Sequence, residues 1–199
     1  MTGLNYIELE NRGVLAVRGA DGLEFLQSLV SNDVALVSGK RSIYAALLTP
    51  QGKFLHDFFI ARWDDSYLID CESDRLMDLA QRLSAYRLRA AVELLDATED
   101  WRVVAVLGEG GEAAFGVADG PGATASLDGE GVIFRDPRPA MPGLRAFLPR
   151  AQGFAAMVAH NIGVGVPADY QRSRIAAGVP DGSHDMTVGK STLMEFGFE

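Results

Sequence analysis

The chain has 199 residues, enough to bury a sizeable core as one large domain or two small ones, and its 48% hydrophobic and 23% charged composition excludes a disordered protein. Eighteen basic against 27 acidic residues leave a formal charge of −9, which argues against general binding of nucleic-acid phosphate or of anionic membrane. A single cysteine, Cys71, excludes an intrachain disulfide and a multi-cysteine metal site.

Tyr6–Leu9 and Val14–Val17 flank Asn11-Arg12-Gly13 and read as a strand pair closed by a turn. Asp21 opens a helix, with Glu24 three residues on as a capping box and Leu23, Leu26, Leu29 and Val30 on one face. Asn32-Asp33 ends it. Arg41–Leu48 and Phe54–Trp63 read as strands joined by the turn Pro50-Gln51-Gly52-Lys53. Asp64-Asp65 turns into a third strand, Tyr67–Cys71. Ser73 caps a second helix whose buried face is Leu76, Leu79, Ala80 and Leu83. Arg87–Leu95 returns to strand character. Trp101–Leu107 is an apolar strand, Glu109–Gly131 a loose helix with loops, and Val132–Arg135 and Leu144–Leu148 are strands around a proline-punctuated loop. Ala151–His160 and Pro167–Ala177 read as helices, with Gly178 as C-cap and Pro180 blocking extension. No regular βαβ rhythm is present, so the pattern predicts an α+β fold with mostly antiparallel sheets.

The N-terminal residues show no basic region before an apolar stretch, and no apolar run is long enough to span a bilayer. With one cysteine, this reads as a soluble cytoplasmic protein. Gly108-Glu109-Gly110-Gly111 lacks the spacing of a phosphate-binding loop and reads as a flexible turn. His56, His160 and His184 stand at no metal-ligand spacing, so no metal site is expected. Cys71, between Asp70 and Glu72, reads as a buried small residue and not a nucleophile.

His56-Asp57 is the best chemical candidate. Adjacent strand residues point to opposite faces, so one of the two can face a given pocket. Asp57 lies in an otherwise apolar strand and needs a donor, either a ligand or an arginine on a neighbouring strand. Arg172 and Arg174, two apart on a helix, fall on different faces.

These pieces, in order, resemble the YgfZ family, relatives of the glycine-cleavage T-protein (aminomethyltransferase). The matching stretches are Phe25-Leu26-Gln27 with Ser31-Asn32-Asp33-Val34, Tyr44–Leu48, Thr49-Pro50-Gln51-Gly52-Lys53, Tyr86-Arg87-Leu88-Arg89 and Arg174–Pro180. Leu193-Met194-Glu195 stands where the family has Pro-x-Glu. The resemblance implies a two-lobed body that binds tetrahydrofolate, with residues 1–33 and 93–199 as a discontinuous first lobe and 34–92 as an inserted second lobe. It implies a role in iron–sulfur cluster assembly or repair, including in radical enzymes that modify tRNA, with iron–sulfur client or assembly proteins as partners. Asp57 is then the acceptor for the pterin edge, Tyr44, Leu68 and Ile69 the pocket wall, Arg174 a compensating charge or glutamate-tail ligand, and Glu195 a site residue by motif position.

Two departures from the T-protein pattern count against aminomethyl transfer. His56 stands where that group has the first acid of an Asp-Asp pair, and Ala176 where it has a Glu. The family's cysteine motif and C-terminal β-barrel would follow Glu199, so the chain reads as truncated, with Phe196 and Phe198 at a ragged end. A folate-dependent aminomethyltransferase and a non-binding interaction scaffold are the alternative readings.

Overall fold

The computed structural model describes residues 3–127, 129 and 131–198. In chain order the strands are β1 (Asn5–Glu8), β2 (Arg12–Arg18), β3 (Ile43–Leu48), β4 (Phe54–Trp63), β5 (Ser66–Glu72), β6 (Glu93–Asp96), β7 (Trp101–Leu107), β8 (Thr124–Ser126), β9 (Val132–Arg135), β10 (Leu144–Pro149) and β11 (Gly163–Val164). The helices are α1 (Gly22–Gln27), α2 (Leu76–Ala85), α3 (Gly111–Phe115), α4 (Ala155–Ala159), α5 (Pro167–Ala176) and α6 (Gly182–Asp185).

Two sheets form, in the strand orders β11-β1-β7-β10-β9-β8 and β3-β4-β5-β2-β6. Every pairing is antiparallel apart from β1 with β11. Strand alternation sorts the side chains into layers. Val14, Ala16, Phe59, Ala61 and Leu68 on one sheet meet Ile7, Val103, Ala105, Phe134 and Phe147 on the other, in a core between the sheets. The opposite face of the five-stranded sheet carries Leu15, Val17, Phe58, Ile60, Ile69 and Cys71 and is covered by α1 and α2. The outer face of the six-stranded sheet carries Val104, Val106, Ile133 and Leu148 and is covered by Phe115 of α3 and Met157 of α4. The order is therefore helix, sheet, sheet, helix.

α2 shows how the sequence builds one layer. Leu76, Leu79 and Leu83 recur at helical spacing and are all buried. Each contributes about 1.5–3 kcal/mol through burial. The helix closes at Tyr86, and Leu88 follows at φ +44°, a left-handed conformation that ends any regular run.

The structure departs from the sequence reading at several elements. β1 and β2 do not pair: a turn from Arg12 N–H to the Leu9 carbonyl carries the chain from one sheet to the other. β2 is apolar on both faces because it is shared by two cores, a pattern the local sequence cannot separate from a hairpin arm. The predicted strand from Arg87 shrinks to Glu93–Asp96, since a turn from Ala90 N–H to the Arg87 carbonyl occupies its first half. Asp21 makes no capping bond to its own helix; its carboxylate accepts from Ala91 N–H at 2.7 Å. β2 and β6 lie in the same sheet as the β3–β5 meander. The predicted Glu109–Gly131 segment contains α3 and β8; its positions 128 and 130, and the chain end at Glu199, lie outside the described residues.

Candidate functional site

Polar side chains gather on the inner face of the five-stranded sheet, facing the other sheet. Asp57 of β4, Asp70 and Glu72 of β5, Arg12 of β2 and Tyr44 of β3 share that face by strand alternation. Asp57, Asp70, Glu72 and Arg12 are all buried. His56 points the other way, where its Nε2 lies 2.8 Å from Asp78 Oδ2 on α2. The predicted separation of His56 from Asp57 is therefore observed.

Asp70 has no exposed surface and sits between two guanidinium groups. Arg12 Nε donates to Oδ1 at 2.6 Å, and Arg145 Nε of β10, in the other sheet, donates to Oδ2. Burial alone would raise the Asp70 pKa, but Arg12 and Arg145 outweigh it and hold the carboxyl below its ordinary range. Arg145 and Arg138 both donate to the Tyr170 hydroxyl, at 3.2 and 3.0 Å, and Arg138 is also paired with Asp136 at 2.7 Å. Burial works to raise the Tyr170 phenol pKa, and the two arginines more than offset it. Phe59 lies under both cations, with Arg145 at 4.1 Å and Arg138 at 4.9 Å from its ring centre. The arginine expected for Asp57 thus went to Asp70.

Asp57 is held differently. Tyr44 donates its hydroxyl proton to Asp57 Oδ2 at 2.9 Å. Oδ1 is buried and has no hydrogen-bond partner among the described residues. Burial raises the Asp57 pKa, and Arg12 and the Tyr44 bond offset this in part. Gly182, the first residue of α6, lies over the acid: a Cβ there would meet Glu72 Oε1 at 2.2 Å and Asp57 Oδ1 at 2.9 Å. Its φ of +48° suits glycine. Ser183 fixes this turn by donating N–H and Oγ–H to Glu72 at 2.7 and 2.6 Å.

A cleft of about 470 Å³ opens beside this group, lined by Asn32, Arg41, Tyr44, Pro137, Pro139 and Phe198, among others. That size suits a small-molecule ligand. Phe198 packs on Tyr44 with ring centres 4.9 Å apart and is buried. Cys71 is buried in the helix-covered core, where desolvation pushes its thiol up to about 12.

The predicted site residues separate in space. Tyr44 lines the cleft, and Asp57 stands behind it. Leu68 is on the Asp57 face, in the core between the sheets. Ile69 is on the opposite face, under the helices, so it walls no pocket shared with Leu68; the alternation that parts His56 from Asp57 parts these two as well. Arg174 bonds Asp185 at 2.7 Å, Gln171 at 2.5 Å and the Val179 carbonyl, and its hydrogen bonds and ion pairs among the described residues do not include Asp57. Glu195 accepts from its own Thr192 N–H and lies beside Gly178, Pro180 and Asp185 on a separate shallow surface. Arg12, Asp70, Arg145 and Tyr170 were not anticipated. Their available signal was a charge inside an apolar strand, in Tyr67–Cys71 for Asp70 and in Leu144–Leu148 for Arg145. Among the described residues no group of three or more His, Cys, Asp or Glu could hold a metal ion, and no helix is long and apolar enough to cross a membrane.

Residues 2–114, more than half of the chain, match the GCVT N-terminal domain. The chain belongs to the GCVT N-terminal domain family. Its fold is that of aminomethyltransferase T of the glycine cleavage system from Bartonella henselae, with a TM-score of 0.76 at 17% identity, covering 96% of this chain and 55% of that one. Mixed α/β layers with antiparallel sheets are therefore a GcvT-like fold, and the described residues form no closed barrel. Among curated proteins, this GCVT-domain chain is 31% identical to the mitochondrial iron–sulfur cluster assembly factor IBA57 of Homo sapiens, over 94% of this chain and 54% of that protein. It is 29% identical to the IBA57 homolog of Mycosarcoma maydis, over 94% of this chain and 46% of that protein. The chain thus spans about half the length of the curated relatives it matches. The human, mouse and Mycosarcoma relatives are all named as mitochondrial, which overturns the expectation of a cytoplasmic protein.

Proposed function

We propose that this GCVT-domain chain is a tetrahydrofolate-binding body of the YgfZ type that supports iron–sulfur cluster assembly or repair and transfers no aminomethyl group. The carrying observation is the buried Asp57, coupled through Oδ2 to Tyr44, whose ring lines a ligand-sized cleft. When bound, tetrahydrofolate supplies a reduced ring that carries a one-carbon unit. The residues present fit it: a phenol and proline side chains suit a flat heterocycle, and Asp57 holds the phenol so that its lone pairs stay free to accept from ring N–H groups. Asp57 acts through Tyr44 and is a positioning residue. Its unpartnered Oδ1 is a second acceptor that α6 covers.

The case against aminomethyl transfer narrows to one position. His56 faces the helices, so an acid there would not reach the Asp57 side. Ala176, at the end of α5, remains as the residue without a carboxylate. The iron–sulfur role rests on the names of the relatives, with iron–sulfur assembly or client proteins as the partners; radical tRNA-modifying enzymes enter among them through the YgfZ resemblance alone.

Titration calorimetry with tetrahydrofolate tests the site. Wild type binds, and Asp57→Asn and Tyr44→Phe each weaken binding by about tenfold, the worth of one charge-assisted hydrogen bond, with the fold intact by circular dichroism. Folded wild type that binds no tetrahydrofolate removes the reading in favour of a scaffold. Methylene transfer that depends on folate and a lipoyl carrier protein removes the claim of no aminomethyl chemistry.

A further inference from the structure

Among the described residues, the polar side chains lining the cleft each make a hydrogen bond within the fold, with one exception. Ser31 Oγ accepts from Ala46 N–H at 2.9 Å. Asn32 donates to the Tyr44 carbonyl at 2.8 Å and accepts from Asp33 N–H at 2.7 Å. Ser42 Oγ bonds Thr124 Oγ1 at 2.9 Å, and the Tyr44 hydroxyl proton is committed to Asp57, which leaves the oxygen as an acceptor. The Arg41 guanidinium is exposed, lines the cleft and enters no ion pair or side-chain hydrogen bond among the described residues. Among the described residues no Asp or Glu lines the cleft and Arg41 is its charged side chain, on a chain of net charge −9.

The backbone beneath Arg41 is fixed on both sides. Arg41 and Ser38 exchange N–H to carbonyl bonds at 3.2 and 2.9 Å, and Arg41 bridges Ala123. Ser42 N–H donates to the Gly122 carbonyl at 2.8 Å, and Thr124 N–H to the Lys40 carbonyl at 3.0 Å. The approach is close enough that a Cβ on Gly122 would lie 2.1 Å from the Ser42 carbonyl oxygen. A free guanidinium on a pinned backbone loses little freedom when it grips a ligand. With a strand rise of ~3.3 Å per residue, Arg41 stands roughly 10 Å along the chain from Tyr44.

We propose that Arg41 is the specificity residue that makes this cleft select a folate bearing its glutamate tail over the bare tetrahydropterin ring. The proposal rests on the folate reading above and assigns the tail carboxylates, which a guanidinium can grip with two parallel N–H bonds, to Arg41 in place of Arg174. Arg174 is committed to Asp185 and is not a lining residue of this cleft.

Calorimetry of wild type, Arg41→Ala and Arg41→Lys with tetrahydrofolate and with 6-methyltetrahydropterin, which lacks the benzoylglutamate, tests it. Arg41→Ala weakens tetrahydrofolate by about tenfold and leaves 6-methyltetrahydropterin unchanged, and Arg41→Lys restores part of the loss. Raising NaCl weakens wild-type binding of tetrahydrofolate and not of the pterin. Because Arg41 is exposed, its variants keep the wild-type melting temperature. Equal affinity of wild type and Arg41→Ala for tetrahydrofolate, or equal weakening of both ligands, overturns the assignment while folate binding stands. Folded wild type that binds neither ligand removes the folate reading and Arg41's role together.

Discussion

At the scale of single residues, the two members of the His56-Asp57 pair respond to pH in opposite ways. Burial first, then Arg75, lowers the His56 pKa from 6.5 to about 4, although its bond to Asp78 works the other way. A histidine held neutral in the fold contributes stability that is complete above its unfolded pKa and lost as pH falls toward the folded one. Its window is therefore pH 6.5 down to about 4. Asp57 has a raised pKa, so protonation favours the fold as pH falls, and a comparison against a His56 variant is needed to isolate the histidine. Between pH 7.5 and 5, wild type should lose about 1–2 kcal/mol more stability than His56→Gln. Urea midpoints at the two pH values measure this, and parallel losses would refute the neutral buried histidine.

At the scale of elements, the four-residue α6 does more than its length suggests. It places a glycine against two buried acids and ties itself to one of them through Ser183. Gly182→Ala puts a methyl 2.2 Å from Glu72 Oε1, at a φ of +48°. The turn must then lift or the acids must move, at a cost of about 1–3 kcal/mol. Equilibrium unfolding reads that cost, and a variant as stable as wild type would mean that α6 does not seal Asp57. β2 is the other element with a double role. Its even positions serve the core between the sheets and its odd positions the helix-covered core, so its burial reports two layers at once.

At the scale of the whole molecule, the two sheets are joined by charge as well as by apolar contact. Asp70 on β5 takes Arg12 from β2 of its own sheet and Arg145 from β10 of the other. Asp70→Ala leaves both guanidinium groups buried without their carboxylate and should cost about 3–5 kcal/mol. The loss should persist in 0.5 M NaCl, roughly five times the ionic strength that already screens exposed pairs beyond ~10 Å, since a pair this buried is little screened. Chemical denaturation at low and high salt tests both statements; a deficit that salt abolishes would place the pair at the surface.

By itself the sequence was enough for the strands β3, β4 and β5, for α2 and α5, and for the opposed faces of His56 and Asp57. Those are local properties: period-2 and helical spacing, turn residues and caps act within a few residues of the chain. It was also enough for the family resemblance, because Tyr44–Leu48 and Thr49–Lys53 are continuous stretches. What surrounds Asp57 was decided by tertiary structure. Tyr44 reaches it across a strand pair, Gly182 arrives from 125 positions later in the chain, and Arg145, which a strand pattern would assign to an exposed face, is buried against Asp70 of another sheet. Buried charges take the partner that packing delivers, and packing between two sheets depends on registers that no local pattern states. The same reason parts Arg174 from Asp57 and leaves Arg41, unremarkable in sequence, as the cation of the cleft without an ion pair among the described residues.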